Sequence, residues 1–472
     1  MKKTYLLLIM LIGSLSITYS QVQTITPAPN KKGEMLAILA DCQACHTYKA
    51  GNGEPFAGGY PIGSPMGNIY SSNITPSLEY GIGHYTLADF TRVLKEGINA
   101  QGTHLYPAMP YTAYAKMTDQ DISDLYQYFM HDVKPVDSAP IQRTDLPFPF
   151  DMRALMIVWN ALYLNNEPYE DNPLKSAQWN RGAYIVEALA HCGMCHTPRD
   201  FMMAEDTQQY LAGGQVGAWY APNITGDKNA GIGTWSQQEI IGYLKTGHLT
   251  GKAQAAGPMA EAVENSFQYA HEDDLKAIAV YLQEIPSIAN TQQSQPRESY
   301  GAPYDVDIAL RGLSPVNANL TLNSGASLYS AYCATCHQDN GAGTEDQFYP
   351  SLFHNTATGD FNASNLIAVI LNGVERQVGD TQVFMPAFSE GSPSQALSDE
   401  QIAKIAQFVM QKYGNPNVTI TLQDVADIRQ GGPKPLLLKL QPYFIPALVL
   451  LLALLGGIIL HFRRQKRRKN RR

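Results

Sequence analysis

The pattern Cys-x-x-Cys-His occurs three times in this chain, as Cys42-Gln43-Ala44-Cys45-His46, Cys192-Gly193-Met194-Cys195-His196 and Cys333-Ala334-Thr335-Cys336-His337. The spacing has a chemical reading. On a helix, residues i, i+3 and i+4 share one face. Two thiols placed so can reach the vinyl groups on one edge of a porphyrin, while the adjacent imidazole turns beneath the ring to bind iron. This is the pattern of covalent c-type haem attachment. The chain holds six cysteines and the three motifs use all of them. A zinc site asks instead for two such pairs converging, or for a distant pair of His ligands. A redox Cys-x-x-Cys has no need of a His after each pair.

A chain of 472 residues has room for about three domains, one for each motif. The expected fold is mainly α: three tandem c-type cytochrome domains over residues 27–136, 176–286 and 320–414. The first two are a duplication. Adding 150 maps Cys42 to Cys192, Asn73-Ile74-Thr75 to Asn223-Ile224-Thr225, Gly81-Ile82-Gly83 to Gly231-Ile232-Gly233, Gly97 to Gly247 and Met109 to Met259. A constant offset of this kind reports a repeated structure. The third unit is shorter, with Tyr349-Pro350-Ser351-Leu352 and Phe384-Met385-Pro386 after its motif. Each unit ends in a helix with an apolar stripe: Ile122, Leu125, Tyr128 and Phe129; Leu275, Ile278, Tyr281 and Leu282; Ile402, Ile405, Phe408 and Val409. The i, i+3, i+6, i+7 spacing marks a helix buried on one side. Pro-rich and Gln/Ser/Asn-rich linkers separate the units. Between the first two, Met152 to Leu164 reads as an apolar helix, carrying Trp159, that packs between domains.

The motif histidines His46, His196 and His337 each supply one axial ligand. Met109 and Met259 lie 63 residues after His46 and His196, and Met385 lies 48 after His337, each beside a proline. Any single methionine is by default a core gap-filler. Recurrence at a fixed place makes these three the expected sixth ligands. Rival histidines fail the same test, since His84 maps to Thr234, His104 to Gln254 and His248 to Ile98. His354 has no counterpart to check it and stays a rival to Met385. His/Met ligation raises the potential of a haem and leaves no open position on iron, so single-electron relay is expected rather than oxygen or peroxide chemistry.

The two ends differ from the body. Residues 1–20, Met1-Lys2-Lys3 followed by an apolar run through Ile17, read as a secretory signal peptide. Phe444 to Phe462 is a nineteen-residue apolar stretch, roughly 28 Å long as a helix and close to hydrocarbon thickness. Eight basic residues between Arg463 and Arg472 follow it, which by the positive-inside rule sets the tail in the cytoplasm and the body in the periplasm. The whole chain carries −8; without that tail, Lys2 and Lys3, 24 basic residues face 42 acidic ones, a balance of −18. So acidic a body does not favour nucleic acid and suits a basic docking surface on a partner.

The segments Asn73-Ile74-Thr75-Pro76, Gly81-Ile82-Gly83, Tyr106-Pro107-Ala108-Met109-Pro110-Tyr111, Met385-Pro386-Ala387-Phe388 and Tyr413-Gly414-Asn415 resemble the triheme cytochrome c subunit of membrane-bound alcohol, gluconate and fructose dehydrogenases. The similarity spans roughly Ala28 to Arg429. It implies three covalent haems, with the cysteines, histidines and methionines above as their ligands. It further implies a separate flavin or quinone-cofactor catalytic subunit as electron donor, a small third subunit, and ubiquinone as acceptor. The second unit departs from the pattern, with Pro258-Met259-Ala260 in place of Met-Pro. No G-x-G-x-x-G fingerprint is present, so the chain itself is expected to be non-catalytic. Two rivals fit the same motifs: a multihaem peroxidase, which needs one five-coordinate haem, and the cytochrome subunit of a terminal oxidase complex.

Overall fold

The computed structural model describes residues 30–50, 53–140, 142–311 and 323–469; the expected signal peptide lies outside them. The described chain is mainly helical, with four two-stranded antiparallel hairpins. Each motif sits on a short helical turn, Cys42–His46, Gly193–His196 and Ala334–His337. An opening helix precedes each turn: Lys31–Leu39, Ala177–Tyr184 and Gly325–Tyr332. A closing helix ends each unit: Asp119–His131, Glu272–Glu284 and Asp399–Tyr413. In all three units the opening and closing helices pack on one another.

That crossing requires glycine. A Cβ on Gly33 would overlap the Asp124 carbonyl and Tyr128 Cβ; on Gly182, the Ala277 carbonyl and Tyr281 Cβ; on Gly325, the Lys404 carbonyl and Phe408 Cβ. Tyr128, Tyr281 and Phe408 are the third members of the three apolar stripes. Each thus lies where the facing helix has no side chain. The other stripe residues, from Ile122 to Val409, are buried, which satisfies the amphipathic pattern. Gly33 lies nine residues before Cys42, whereas Gly182 lies ten before Cys192. A π turn at Ile185–Leu189 takes up the extra residue.

The middle of each unit carries one more helix. Leu87–Glu96 and Gln237–Thr246 start with matching capping boxes, Thr86 with Asp89 and Ser236 with Glu239. The third unit's counterpart is Ser364–Asn372. These helices begin 41, 41 and 27 residues after the motif His, while the step from helix start to Met is 22, 22 and 21. The shorter third spacing therefore arises almost wholly before the helix. There the first two units have hairpins, Pro61–Ser64 with Gly67–Tyr70 and Gly214–Val216 with Trp219–Ala221. The third unit has no strand between His337 and Ser364.

A contiguous apolar core, including Leu36, Phe129, Ile185 and Leu282, runs through the first two repeats, and the third packs its own around Leu328, Ile367 and Ile405. Helix Leu422–Arg429 packs on this third core. Near the end, Leu436–Arg464 is the one helical stretch among the described residues long and apolar enough to cross a membrane, with mean hydropathy 2.6 and no part of its apolar window buried.

Valine at Gly325 would force the third helix crossing apart, an overpacking cost of about 1–3 kcal/mol. Gly325→Val is expected to lower the denaturant midpoint of unfolding, followed by circular dichroism, and Gly325→Ala to lower it less. An unchanged midpoint in both would contradict the crossing.

Candidate haem sites

The three motif histidines share one hydrogen bond. His46 Nδ1 lies 2.7 Å from the Ser72 carbonyl oxygen, His196 Nδ1 2.6 Å from that of Pro222, and His337 Nδ1 2.9 Å from that of Pro350. A proton on Nδ1 donates to the carbonyl and leaves the Nε2 lone pair free for a metal. Sequence reasoning missed these partners because a backbone carbonyl has no letter of its own. In the first two units the signal that could have found them is the repeated Asn-Ile-Thr, which follows directly. Asn73 Oδ1 accepts from Thr75 N at 2.9 Å and Thr75 Oγ1 at 2.7 Å, and Asn223 Oδ1 accepts from the same groups of Thr225 at 2.8 Å each. The side chains of Asn73 and Asn223 also donate to the carbonyls of Val136 and Ile288. The loop that presents the carbonyl is thereby braced from both sides.

None of the six cysteines is in a disulfide, and like the three histidines they are half-buried. Burial pushes the Cys42, Cys192 and Cys333 thiols up to about 12, and raises Cys45 and Cys195. Burial also lowers the imidazoles, His196 to about 4 and His46 and His337 in the same direction. A neutral imidazole is the form that binds metal.

The methionines arrive on three different local structures. Met109 stands just before Pro110, which begins the turn Tyr111–Tyr114. Met259 lies in the first turn of Gly257–Asn265, behind Pro258. Met385 ends the hairpin Val374–Val378 with Thr381–Met385, paired with Val374. The inverted Pro-Met order of the second unit thus follows from a helix that starts before its methionine. Each Met is half-buried and packs on the same core cluster as the first Cys of its own unit. Of the rival histidines, His84 and His354 are exposed. His248 is held by Gln254 and Thr250, and His104 stays half-buried with no partner for Nδ1. Among the described residues no three His, Cys, Asp or Glu side chains converge.

The sites are also neighbours. Thr112, just after Met109, places its hydroxyl 3.7 Å from Met194 Sδ inside the second motif. In return the helix carrying Met259 packs on the first motif turn; its Glu261 accepts from Tyr60 at 2.9 Å, and its Glu264 pairs with Lys49. The third unit's Met385 hairpin packs on the Met259 helix as well. The second unit is therefore the middle one in contact as well as in sequence. Paired thiols and an oriented neutral imidazole, with a half-buried methionine on the same core cluster, recur in each unit and fit covalent haem.

Residues 321–409 match the model of the family "Cytochrome C oxidase, cbb3-type, subunit III". Over 91% of its length the chain is 48% identical to the fructose dehydrogenase cytochrome subunit of Gluconobacter japonicus, covering 87% of that protein. It is 35% identical to the alcohol dehydrogenase (quinone) cytochrome c subunit of Gluconobacter oxydans (strain 621H), covering 89% of this chain and 87% of the other. For the gluconate 2-dehydrogenase cytochrome c subunit of Pantoea cypripedii the values are 34%, 90% and 95%. The chain belongs to the dehydrogenase cytochrome c subunits. Covalent haem c and electron transfer come with that membership.

This cytochrome subunit also has two buried arginines that its sequence did not mark as functional. Arg376, on the Met385 hairpin, is 1% exposed. It donates from Nη1 to the Ala255 carbonyl at 2.6 Å and from Nη2 to Gln254 Oε1 at 3.0 Å. Arg297 lies 3.5 Å from Asp360 and donates to the Gly231 carbonyl at 3.2 Å. The Nε of each has no protein partner, a spare donor of the kind that haem carboxylates accept. Burial pulls the Arg376 guanidinium down from its usual value. A buried cation disfavours the oxidised, more positive iron. Arg376→Gln is expected to lower one haem potential in a redox titration, by about 60 mV for each ~1.4 kcal/mol of lost stabilisation. Unchanged haem potentials would contradict a role for Arg376 beside a haem.

Proposed function

We propose that the chain is a three-haem relay that carries electrons singly from a separate dehydrogenase subunit to the membrane. The observation that carries this reading is the shared constellation: a Cys-x-x-Cys-His turn, a carbonyl on Nδ1 and a Pro-flanked Met on the same core, repeated in three units. On this reading residues 27–136, 176–286 and 320–414 are cytochrome c domains. Cys42 and Cys45, Cys192 and Cys195, and Cys333 and Cys336 bind the haems. His46 with Met109, His196 with Met259, and His337 with Met385 hold the irons. A bound haem supplies reversible one-electron redox chemistry. The protein orients each imidazole, keeps it neutral and closes the sixth position.

The similarity to subunits of fructose, alcohol and gluconate dehydrogenases supports a catalytic partner with a flavin or quinone cofactor acting on CH–OH donors, and a small third subunit. Phe444 to Phe462 would span the cytoplasmic membrane once, with the haem domains in the periplasm and ubiquinone as acceptor. Packing of both neighbours on the second unit supports a relay passing through its haem. The oxidase reading draws on the family model alone, which covers 321–409 of 472 residues; the dehydrogenase relatives run along nearly the whole chain.

This division of labour has a direct test. The purified haem-loaded chain is expected to show no oxidation of fructose, ethanol or gluconate with an artificial acceptor, and to be reduced by those donors once a dehydrogenase subunit is added. Turnover by the chain alone would overturn it.

A further inference from the structure

Helix Leu155–Tyr163 is apolar all round, and such helices are normally buried. This one is buried on one side only. Its inner stripe is fixed to the protein. Trp159 is 6% exposed and donates from Nε1 to the Met202 carbonyl at 3.0 Å. Asn160 accepts from Tyr111 OH at 2.8 Å and donates to the Glu96 carbonyl at 3.1 Å. The helix is therefore clamped to both of the first two units and backs the cluster that holds Met109. Its outer face nevertheless presents Ile157, Val158 and Leu162 at 55%, 60% and 65% exposure, and no charged residue occurs from Ala154 to Asn166. A contiguous exposed apolar face of this kind marks an interaction surface.

The root of the C-terminal apolar helix is tied to the segment that leads into this face. Gln441, three residues before Phe444, donates from Nε2 to the Phe148 carbonyl at 2.7 Å. From Phe148 the chain enters the exposed helix through successive tight turns, closed by Phe150 N to Pro147 O, Met152 N to Pro149 O and Leu155 N to Met152 O. Phe148 and Tyr443 are themselves more than half exposed, and Tyr is a residue of membrane–water interfaces. The point where the anchor would leave the bilayer is thus joined to the segment that presents the apolar face.

We infer that Leu155–Tyr163 lies in the outer interface of the same bilayer, with Ile157, Val158 and Leu162 among the acyl chains. An ordinary interfacial helix sets a charged face toward water; here the packed cytochrome body takes the place of that face. Two attachments, one spanning and one lying flat, would fix the tilt of the body and hold the Met109 side of the first unit close to the membrane. The inference rests on the reading of Phe444 to Phe462 as a membrane span.

The test uses membranes isolated from the producing cells, so that any partner subunit is in place. A phospholipid with a diazirine in its acyl chain is added and photolysed, and adducts are mapped by peptide mass spectrometry. Adducts are expected on the peptide holding Ile157, Val158 and Leu162 and on the anchor. The helix peptide is expected to be labelled at least about tenfold more than the peptide holding Leu174, the factor that one buried apolar side chain contributes to partitioning. Leu174 is the control because it is 92% exposed on a turn. Labelling of the anchor without the helix would overturn the inference and leave the span intact, with a protein partner or water on that face. Labelling of neither would remove the span reading and the inference with it.

Discussion

An imidazole that hydrogen-bonds a backbone carbonyl through Nδ1 is the constraint on which the rest of this molecule turns. A histidine next to two cysteines on one helical turn has the right position but not a fixed ring plane or tautomer. The carbonyls of Ser72, Pro222 and Pro350 supply both. To hold a carbonyl there, the loop behind it must itself be rigid. The Asn-Ile-Thr triads provide that rigidity in the first two units, since one side-chain amide ties together Thr75 or Thr225 and a distant linker carbonyl. The constant offset of 150 records that these two units share one loop length, 26 residues from His to carbonyl; the third unit, without the first hairpin, reaches its carbonyl in 13.

Duplication then sets the relation between sites. The Met109 segment reaches the second motif and the Met259 helix reaches the first, so each of the two units helps to close its neighbour's surroundings. Their apolar interiors are continuous. The third unit joins through several contacts: helix Ser364–Asn372 packs on strand Trp219–Ala221, with Asn365 bonded to the Tyr220 backbone, and the Met385 hairpin inserts Arg376 behind Gly247, where a Cβ would meet the guanidinium. The corresponding glycine of the first unit, Gly97, faces the ring of Tyr111 instead. One backbone solution thus serves two neighbours, an aromatic ring from within the first unit and a cation from outside the second.

Much of this could be read from the sequence, and the gaps have physical reasons. The motif turns and closing-helix stripes were readable because their spacing is fixed by helix geometry. The glycines of the helix crossings were not, because a π turn breaks the register between Gly33 and Gly182, so the offset maps Gly33 onto Ala183. Arg297 and Arg376 make their contacts across units, and no local pattern reports that. For Leu155–Tyr163 the sequence reported an apolar helix between domains, and the structure places Trp159 as a clamp there. What periodicity could not report is that the opposite face stays uncovered, since an all-round apolar helix reads alike whether protein or lipid surrounds it.

The central claim is that three irons are each closed by one histidine and one methionine of the same unit. The most direct measurement is carbon monoxide binding to the reduced, haem-loaded chain, read by absorption spectroscopy, for the natural protein and for Met109→Ala, Met259→Ala and Met385→Ala. The account predicts no binding to the natural protein and one carbon monoxide per chain in each variant. Stoichiometric binding to the natural protein, or a variant that still binds none, would contradict it.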